Sequence, residues 1–362
     1  MIDALIQSCP ASEREACRFR SLFEPPEPVL ALAPMQDVTD LAFMRLMMRY
    51  GGPDLFFTEY FRVTEGFKPN REILRSITEN DTGRPVVAQL IGNDLPWMIR
   101  ACERLLQFPT AGIDLNLGCP APIVYKKCAG GGLLREPARV DDTLAALRSA
   151  LPGIFTVKTR VGFESDTEFD ALLPIFARHQ IDLLSVHGRT VTDRYRPSVH
   201  VERIADAVTR MPCPVLANGS VDSPASAARL LKKTGAQGLM IGRGAIRNPW
   251  VFQQIRDAHA GRPVFQPTGH DVLGYITDLY ASTSPESVPE KVQVQKMKKY
   301  MNFLGAGVSE PFLHEIRRVH TKADFFAVAR RHLAHDDWID LHVPAAGVSS
   351  CESPAVASLE NG

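Results

Sequence analysis

Eight short apolar runs, with helical patterns between most of them, restrict what this chain can fold into. They are Val29–Ala33, Asp54–Thr58, Val86–Gln89, Gly112–Asn116, Phe155–Arg160, Leu183–His187, Val215–Asn218 and Gly238–Ile241. Each is too short for a helix and nearly continuous in apolar residues, which is how a parallel strand buried on both faces reads. Between them, apolar residues recur at helical spacing over Leu41–Tyr50, Pro96–Gln107, Arg139–Ala150, Glu168–His179, Val201–Arg210 and Pro224–Thr234. Asp40, Asp166 and Ser223 stand where helix N-caps belong. Eight strand runs with helices between most of them predict an α/β chain built as a (β/α)8 TIM barrel. The competing doubly wound sheet uses about five or six strands, and its dinucleotide-binding form needs GxGxxG after the first. Here PMQDVTD follows the first run, and the glycine cluster GRGAIR at 242–247 follows the last.

After Trp250 the alternation stops. Helical periods cover His270–Ser282, Pro289–Leu304, Pro311–His320 and Lys322–His335, predicting a small C-terminal helical bundle domain. The chain thus divides into an N-terminal extension over 1–28, a barrel over 29–255, a helical domain over 268–340 and a flexible tail over 344–362. The extension ends in EPPEP and has room for one short helix around Ser12–Arg20. The tail is rich in Pro, Ala, Ser and Gly and has no aromatic residue.

Lys+Arg and Asp+Glu are both 41, so the net charge is zero and a uniformly basic nucleic-acid binder is excluded. The balance is local. Residues 291–332 hold nine Lys/Arg against three acids, a net of +6, while 333–362 hold five acids and no Lys/Arg. No run of 18 apolar residues occurs, so no membrane helix is expected. The start, MIDALIQSCPASEREACRFR, lacks the basic head and apolar core of a secretory signal. Seven scattered cysteines without CxxC fit neither a disulfide framework nor a metal centre. The expectation is a cytoplasmic, monomeric protein with reduced thiols, no metal and no membrane partner.

In barrels of this kind chemistry is built at the C-terminal strand ends. In order, these deliver Pro34-Met35, Glu59, Gln89, Asn116 with the LGCP turn bearing Cys119, Lys158 and Arg160, His187, Asn218-Gly219 and Gly242-Arg243. Asn218-Gly219-Ser220 and Gly242-Arg243-Gly244 follow the seventh and eighth runs, the usual phosphate position, where glycine admits backbone N–H groups to an anion. Gln89, Lys158 and His187 on neighbouring strands suit an electron-rich ring such as a flavin. Cys119 can serve as nucleophile, metal ligand or proton donor; no second Cys or His stands at ligand spacing. The segment Tyr125–Gly132, with Lys126, Lys127 and three glycines, reads as a mobile basic loop beside the site.

Taken in order, APMQDVTD (33–40), TEYFRV (58–63), VAQLIG (87–92), DLNLGCPAPIVYKKCAGGGLL (114–134), VKTRVG (157–162), VHGRT (186–190), ANGSV (217–221) and MIGRGAIRNPW (240–250) resemble the tRNA-dihydrouridine synthases. The likeness covers about residues 29–335. It implies an FMN-dependent oxidoreductase that reduces the C5–C6 bond of a tRNA uridine and recharges its flavin with NADPH. By motif it implies that Pro34, Met35, Gln36, Gln89, Lys158, His187, Asn218, Gly219, Ser220, Gly242 and Arg243 bind FMN. Cys119 is then the general acid, and Asn116 and Arg160 hold the uracil or its flanking phosphate. Glu59, Arg62, Lys126, Lys298, Arg317 and Arg318 fall on the substrate side. TEYFRV and KMKKYMNFL…IRRVHTKADF look most like the bacterial C-type subgroup, which modifies U16. Two departures stand out: Ser220, where many relatives carry an acid, and the extension of about 28 residues. The rival readings are the same chemistry at another tRNA position or on ribosomal RNA, an FMN barrel acting on a small molecule, and an RNA-binding protein without catalysis.

Overall fold

The computed structural model of the chain describes residues 11–24, 26–196 and 198–342; the tail expected over 344–362 lies outside them. Short, buried segments pair in parallel to make β1 (Val29–Leu32), β2 (Phe56–Phe57), β3 (Phe61–Arg62), β4 (Val86–Ile91), β5 (Gly112–Leu117), β6 (Phe155–Arg160), β7 (Leu183–His187), β8 (Val215–Asn218) and β9 (Gly238–Ile241). Their order is β1-β9-β8-β7-β6-β5-β4-β2, with β3 also on β4. A parallel bridge from Ala31 to Leu55 joins the first stave to the second, so the sheet closes into a barrel as predicted.

The second stave departs from the simple pattern. Phe57 pairs with Val87 and Phe61 with Leu90, so four steps on one strand face three on the other. This is a bulge, and Thr58 repairs the ladder across it. Its N–H donates to the Val87 carbonyl and its hydroxyl accepts the Gln89 N–H, each at 3.0 Å. The extra residue leaves Glu59 buried against the loop after β1.

The described helices are α1 (Ala11–Ser21), α2 (Leu41–Arg49), α3 (Arg71–Thr78), α4 (Leu95–Leu105), α5 (Pro122–Tyr125), α6 (Pro137–Ala150), α7 (Phe169–Arg178), α8 (Val201–Arg210), α9 (Pro224–Thr234), α10 (Arg243–Arg247), α11 (Val251–His259), α12 (Gly269–Thr283), α13 (Glu290–Val308), α14 (Glu310–Ile316) and α15 (Lys322–Leu333). Asp40 and Ser223 cap α2 and α9, accepting N–H groups of Phe43 and Ser226. Asp166 is not a cap. Ser165 caps a 3-10 turn ahead of α7, and Asp166 instead pairs with Arg203 at 2.8 Å. In the bundle, α13 runs past Leu304 to Val308, and α14 ends at Ile316 short of His320. Ser309 causes the break between them: it closes α13 and caps α14, where Pro311 fits the first turn.

Side chains alternate between the outer helices and the barrel interior. The interior is apolar at its N-terminal end, where Leu55, Phe57, Ile154, Leu183, Leu216 and Met240 cluster. That cluster is sealed by α1 and the turn after it: the helix inserts Phe19 and leans Ala16 on it, and the turn adds Leu22 and Phe23. At the other end the bundle grips the loop after β1. The Tyr300 hydroxyl donates to the Val38 carbonyl at 3.1 Å, its ring stacks on Phe43, and Lys296 pairs with Asp40 at 3.0 Å. Phe19→Ala opens a cavity at the barrel's base and is expected to cost about 3 kcal/mol. Urea denaturation checks this, with exposed Cys17→Ser on the same helix expected to unfold like the parent.

Candidate active site at the C-terminal mouth of the barrel

Period-two alternation aims Gln89 of β4, Asp114 and Asn116 of β5, and Thr156, Lys158 and Arg160 of β6 into the mouth, where Lys158 lies in register with Asn116 and with Ser185 of β7. The Asp114 carboxylate is fully buried and accepts from the Thr156 hydroxyl and from Gln89 Nε2, the latter at 2.7 Å. Gln89 Oε1 accepts from Asn116 Nδ2 at 2.9 Å, and Asn116 Oδ1 accepts the N–H groups of Gly118 and Cys119 at 3.0 and 2.9 Å. Burial pushes Asp114 up to about 6, against its hydrogen bonds and the nearby Lys158. Burial and Arg160 bring Lys158 down to about 8. Its ammonium makes no hydrogen bond among the described residues, and the neighbouring Ser185 hydroxyl is buried without a partner. Both are groups that a bound polar ring would satisfy.

The Cys119 thiol lies beside this floor, packed near Ile91, Val124 and Tyr60. Burial pushes its pKa up, against the pull of the Ala121 N–H and of Arg160, Lys158 and Arg62. The thiol is therefore protonated at neutral pH, which suits a proton donor rather than a nucleophile or metal ligand. The glycines expected in a mobile loop are instead packed in a 3-10 turn over Gly130–Arg135. A Cβ on Gly130 would come within 3.0 Å of Cys119 Cβ, and one on Gly132 within 2.3 Å of the Tyr125 carbonyl. The segment braces the cysteine turn, with Lys126 exposed beside it.

Four cations crowd the rim, and all are held below their ordinary values by burial: Lys158, Arg160, Arg189 and Arg243. Arg160 ties the cysteine turn to the loop after β7, donating to the carbonyls of Gly118, Thr190 and Arg194. Its role is thus partly architectural, which motif matching did not indicate. Arg189 is only 1% exposed. It donates to His187 Nε2 at 3.1 Å and to the Ser220 hydroxyl at 2.7 Å. A guanidinium only donates, so His187 Nε2 must carry a lone pair. Burial, Arg160 and Lys158 hold His187 well below its ordinary value, consistent with a neutral ring. The Tyr195 ring, 54% exposed, lies over Arg243 at 4.6 Å and near Arg160 at 5.9 Å. A cluster of buried positive charge with so few acids beside it is the electrostatic counterpart of an anion.

The remaining phosphate-side residues close the same rim. Asn218 Nδ2 donates to the Met240 carbonyl at 2.6 Å. Gly219 has φ +144°, a conformation closed to side chains, and Ser220 follows at φ 53°. Gly242 stands before α10, with Met35 sulfur 3.4 Å from where its Cβ would be. Thr39 fixes the Pro34–Gln36 turn by bonding both the Met35 N–H and carbonyl. Glu59 does not face outward as a substrate ligand. Its carboxylate is buried and accepts the Val38 N–H at 3.0 Å, so it braces the loop that carries Met35. Arg62 is exposed near Tyr60 and Cys119. Lys298, Arg317 and Arg318 stand on the bundle: Lys298 half-buried, Arg317 donating to Asn302 at 2.8 Å, and Arg318 exposed.

Sequence reasoning passed over Asp114, Ser185, Arg189 and Tyr195. The signal for Asp114 was present, since a carboxylate two residues before Asn116 in an apolar strand shares its inward face. Among the described residues, one group able to hold a cation, Asp166, His200 and Glu202, brings its ligand atoms within 4.8 Å; Asp166 is already paired with Arg203.

Burial pushes Glu59 up to about 7, reinforced by Asp40 and Asp37 and opposed by the Asp37 and Val38 N–H groups. Its folded value lies above its ordinary 4.5, so the folded chain binds more protons than the unfolded chain between these values. The stability it contributes is full below about 4.5 and is lost as pH rises through 7. Glu59→Gln should therefore gain about 2 kcal/mol relative to the parent on going from pH 5 to pH 8. Urea melts of both proteins at the two pH values measure it, and a pH-independent difference contradicts the assignment.

The dihydrouridine synthase family profile matches residues 31–333. A tRNA-dihydrouridine(16) synthase of Ralstonia nicotianae is 32% identical over 321 residues, covering 84% of this chain and 96% of that protein. A tRNA-dihydrouridine synthase B of Vibrio cholerae is 36% identical over 229 residues, covering 63% and 70%. Among solved structures, a histamine dehydrogenase from Rhizobium sp. 4-9 superposes with a TM-score of 0.52 at 14% identity. The overlap spans 72% of this chain and about half (51%) of that one, a likeness of fold. With a profile match running from the first barrel strand to the last helix of the bundle, the chain belongs to the dihydrouridine synthase family.

Proposed function

We propose that this chain is an FMN-dependent tRNA-dihydrouridine synthase that reduces the C5–C6 bond of uridine 16, with NADPH as the electron source. The observation that carries the reading is a thiol kept protonated by burial, held beside a polar floor by Asn116. FMN suits the floor and rim. Gln89, Lys158 and Ser185 would meet its ring, His187 and the Asn218–Ser220 and Gly242-Arg243 turns its chain and phosphate, and the Pro34–Gln36 turn its edge. When bound, FMN supplies the hydride that reduces uracil C6.

The protein residues handle the proton and the base. Hydride addition at C6 would leave an enolate over C5, C4 and the C4 oxygen, and proton transfer from Cys119 to C5 would restore the C4 carbonyl. The thiolate formed is stabilised by Arg160, Lys158 and Arg62, the same cations that lower its pKa, and regains a proton from solvent. Asn116 and Arg160 serve the base and its phosphate. Arg160 Nη2 makes no hydrogen bond among the described residues, and so is left for an anion. The base must leave its stack to reach this mouth. Position 16 rests on the relatives bearing that name.

The bundle would hold the RNA, though with fewer free charges than its +6 suggests. Lys296 and Lys299 pair with Asp40 and Asp37, and Arg331 with Glu315. Lys291, Arg318, Lys322 and Arg330 remain exposed. With about four phosphate contacts, tRNA affinity should fall with salt at a log–log slope of roughly −3 to −4. A flat dependence counts against this face.

Cys119→Ala should keep FMN yet lose most uridine reduction, by about 100-fold or more. Single-turnover reduction of unmodified tRNA measures this, and parent-like rates in the variant would remove Cys119 from the mechanism. Mass spectrometry of tRNA from a deletion strain identifies the position and separates the ribosomal RNA alternative.

A further inference from the structure

The polar floor carries a direction that can be read without ambiguity. Backbone N–H groups can only donate, and those of Gly118 and Cys119 both point at one end of the Asn116 side chain. That end must be the carbonyl oxygen, so the amide nitrogen faces Gln89. Gln89 must then turn its own oxygen toward Asn116 and its nitrogen toward Asp114. Asp114 closes the chain as the one group on it that, when ionised, accepts without donating; its second oxygen takes the Thr156 hydroxyl. Two amides whose orientation is usually an assignment are thus fixed from both ends. What Gln89 has left for a ligand is one N–H and one lone pair, in a set arrangement.

We propose that Asp114 is a positioning residue: as terminal acceptor of the chain Cys119 N–H→Asn116→Gln89→Asp114, it dictates which edge Gln89 presents to the flavin. Asp114 touches neither flavin nor uracil in this account and acts through Gln89. The consequence for recognition rests on the FMN reading above, whereas the direction of the chain does not.

The test exchanges the two ends. Asn116→Asp alone sets a carboxylate against Gln89 Oε1, so every orientation of Gln89 faces an acceptor with an acceptor. Adding Asp114→Asn relieves this by reversing the chain. Asp at 116 still accepts the two backbone N–H groups and takes Gln89 Nε2, while Asn at 114 donates to Gln89 Oε1 and accepts from Thr156. Every hydrogen bond is restored with Gln89 turned over.

Asn116→Asp should therefore lower the melting temperature, and the D114N/N116D exchange should recover most of it. FMN affinity, followed by quenching of flavin fluorescence on the purified full chain, should stay about tenfold or more weaker in the exchanged protein, the size of one misdirected buried hydrogen bond. Stability that fails to recover in the exchange overturns the direction of the chain. Recovered stability with parent-like FMN affinity overturns the positioning role. A parent that does not bind FMN overturns the flavin reading and this role with it, while the melting temperatures still decide the direction.

Discussion

The alternation of side chains along parallel strands divides the barrel interior into two media. Toward the strand starts, inward positions such as Leu55, Ile154, Leu183, Leu216 and Met240 make an oily plug. One or two pleats higher the same strands turn inward Gln89, Asp114, Asn116, Thr156, Lys158, Ser185 and His187, all of them polar or ionisable. Groups so placed cannot be hydrated as they are on a surface, and their energetics force them to bond one another or await a ligand. Gln89, Asp114, Asn116 and Thr156 do the first. Lys158 and Ser185 do the second, and the cations around Tyr195 extend the demand to an anion.

The helical bundle is not an appendage to this arrangement. Tyr300 bonds the backbone of the loop after β1, and Lys296 and Lys299 spend their charge on Asp40 and Asp37 at either side of it. Glu59, displaced inward by the bulge in the second stave, holds the same loop from beneath. The loop that carries Pro34, Met35 and Gln36 is thus gripped from the barrel and from the bundle. On the proposed function, RNA held by the bundle and flavin held by the barrel would meet across this seam.

Much of this was legible in the sequence, because strand burial and helix period are local properties. All eight staves stand where the apolar runs fall, and the bundle begins where the alternation ends. The break in the second stave was hidden, since Thr58–Tyr60 carries no glycine to mark a bulge. The rim residues were found one strand at a time, but their division of labour depends on neighbours across the barrel. Glu59 looked like a free carboxylate until the Val38 N–H was seen to occupy it. Arg189 sits in VHGRT yet was overshadowed by His187, whose Nε2 it holds as an acceptor. Asp114 was passed over because a single strand does not reveal what an inward carboxylate meets.

The helix that seals the base imposes an order on synthesis. Phe19 is among the first residues of the described chain to leave the ribosome, yet its seat is lined by Leu216 and Met240, about 200 residues later. That seat does not exist until β9 has zipped onto β1. The full seat for Phe19 is therefore complete only after nearly the entire barrel has been made, and docking of this helix requires the cylinder to be shut. Such a long-range contact makes closure slow compared with the local strand–helix steps.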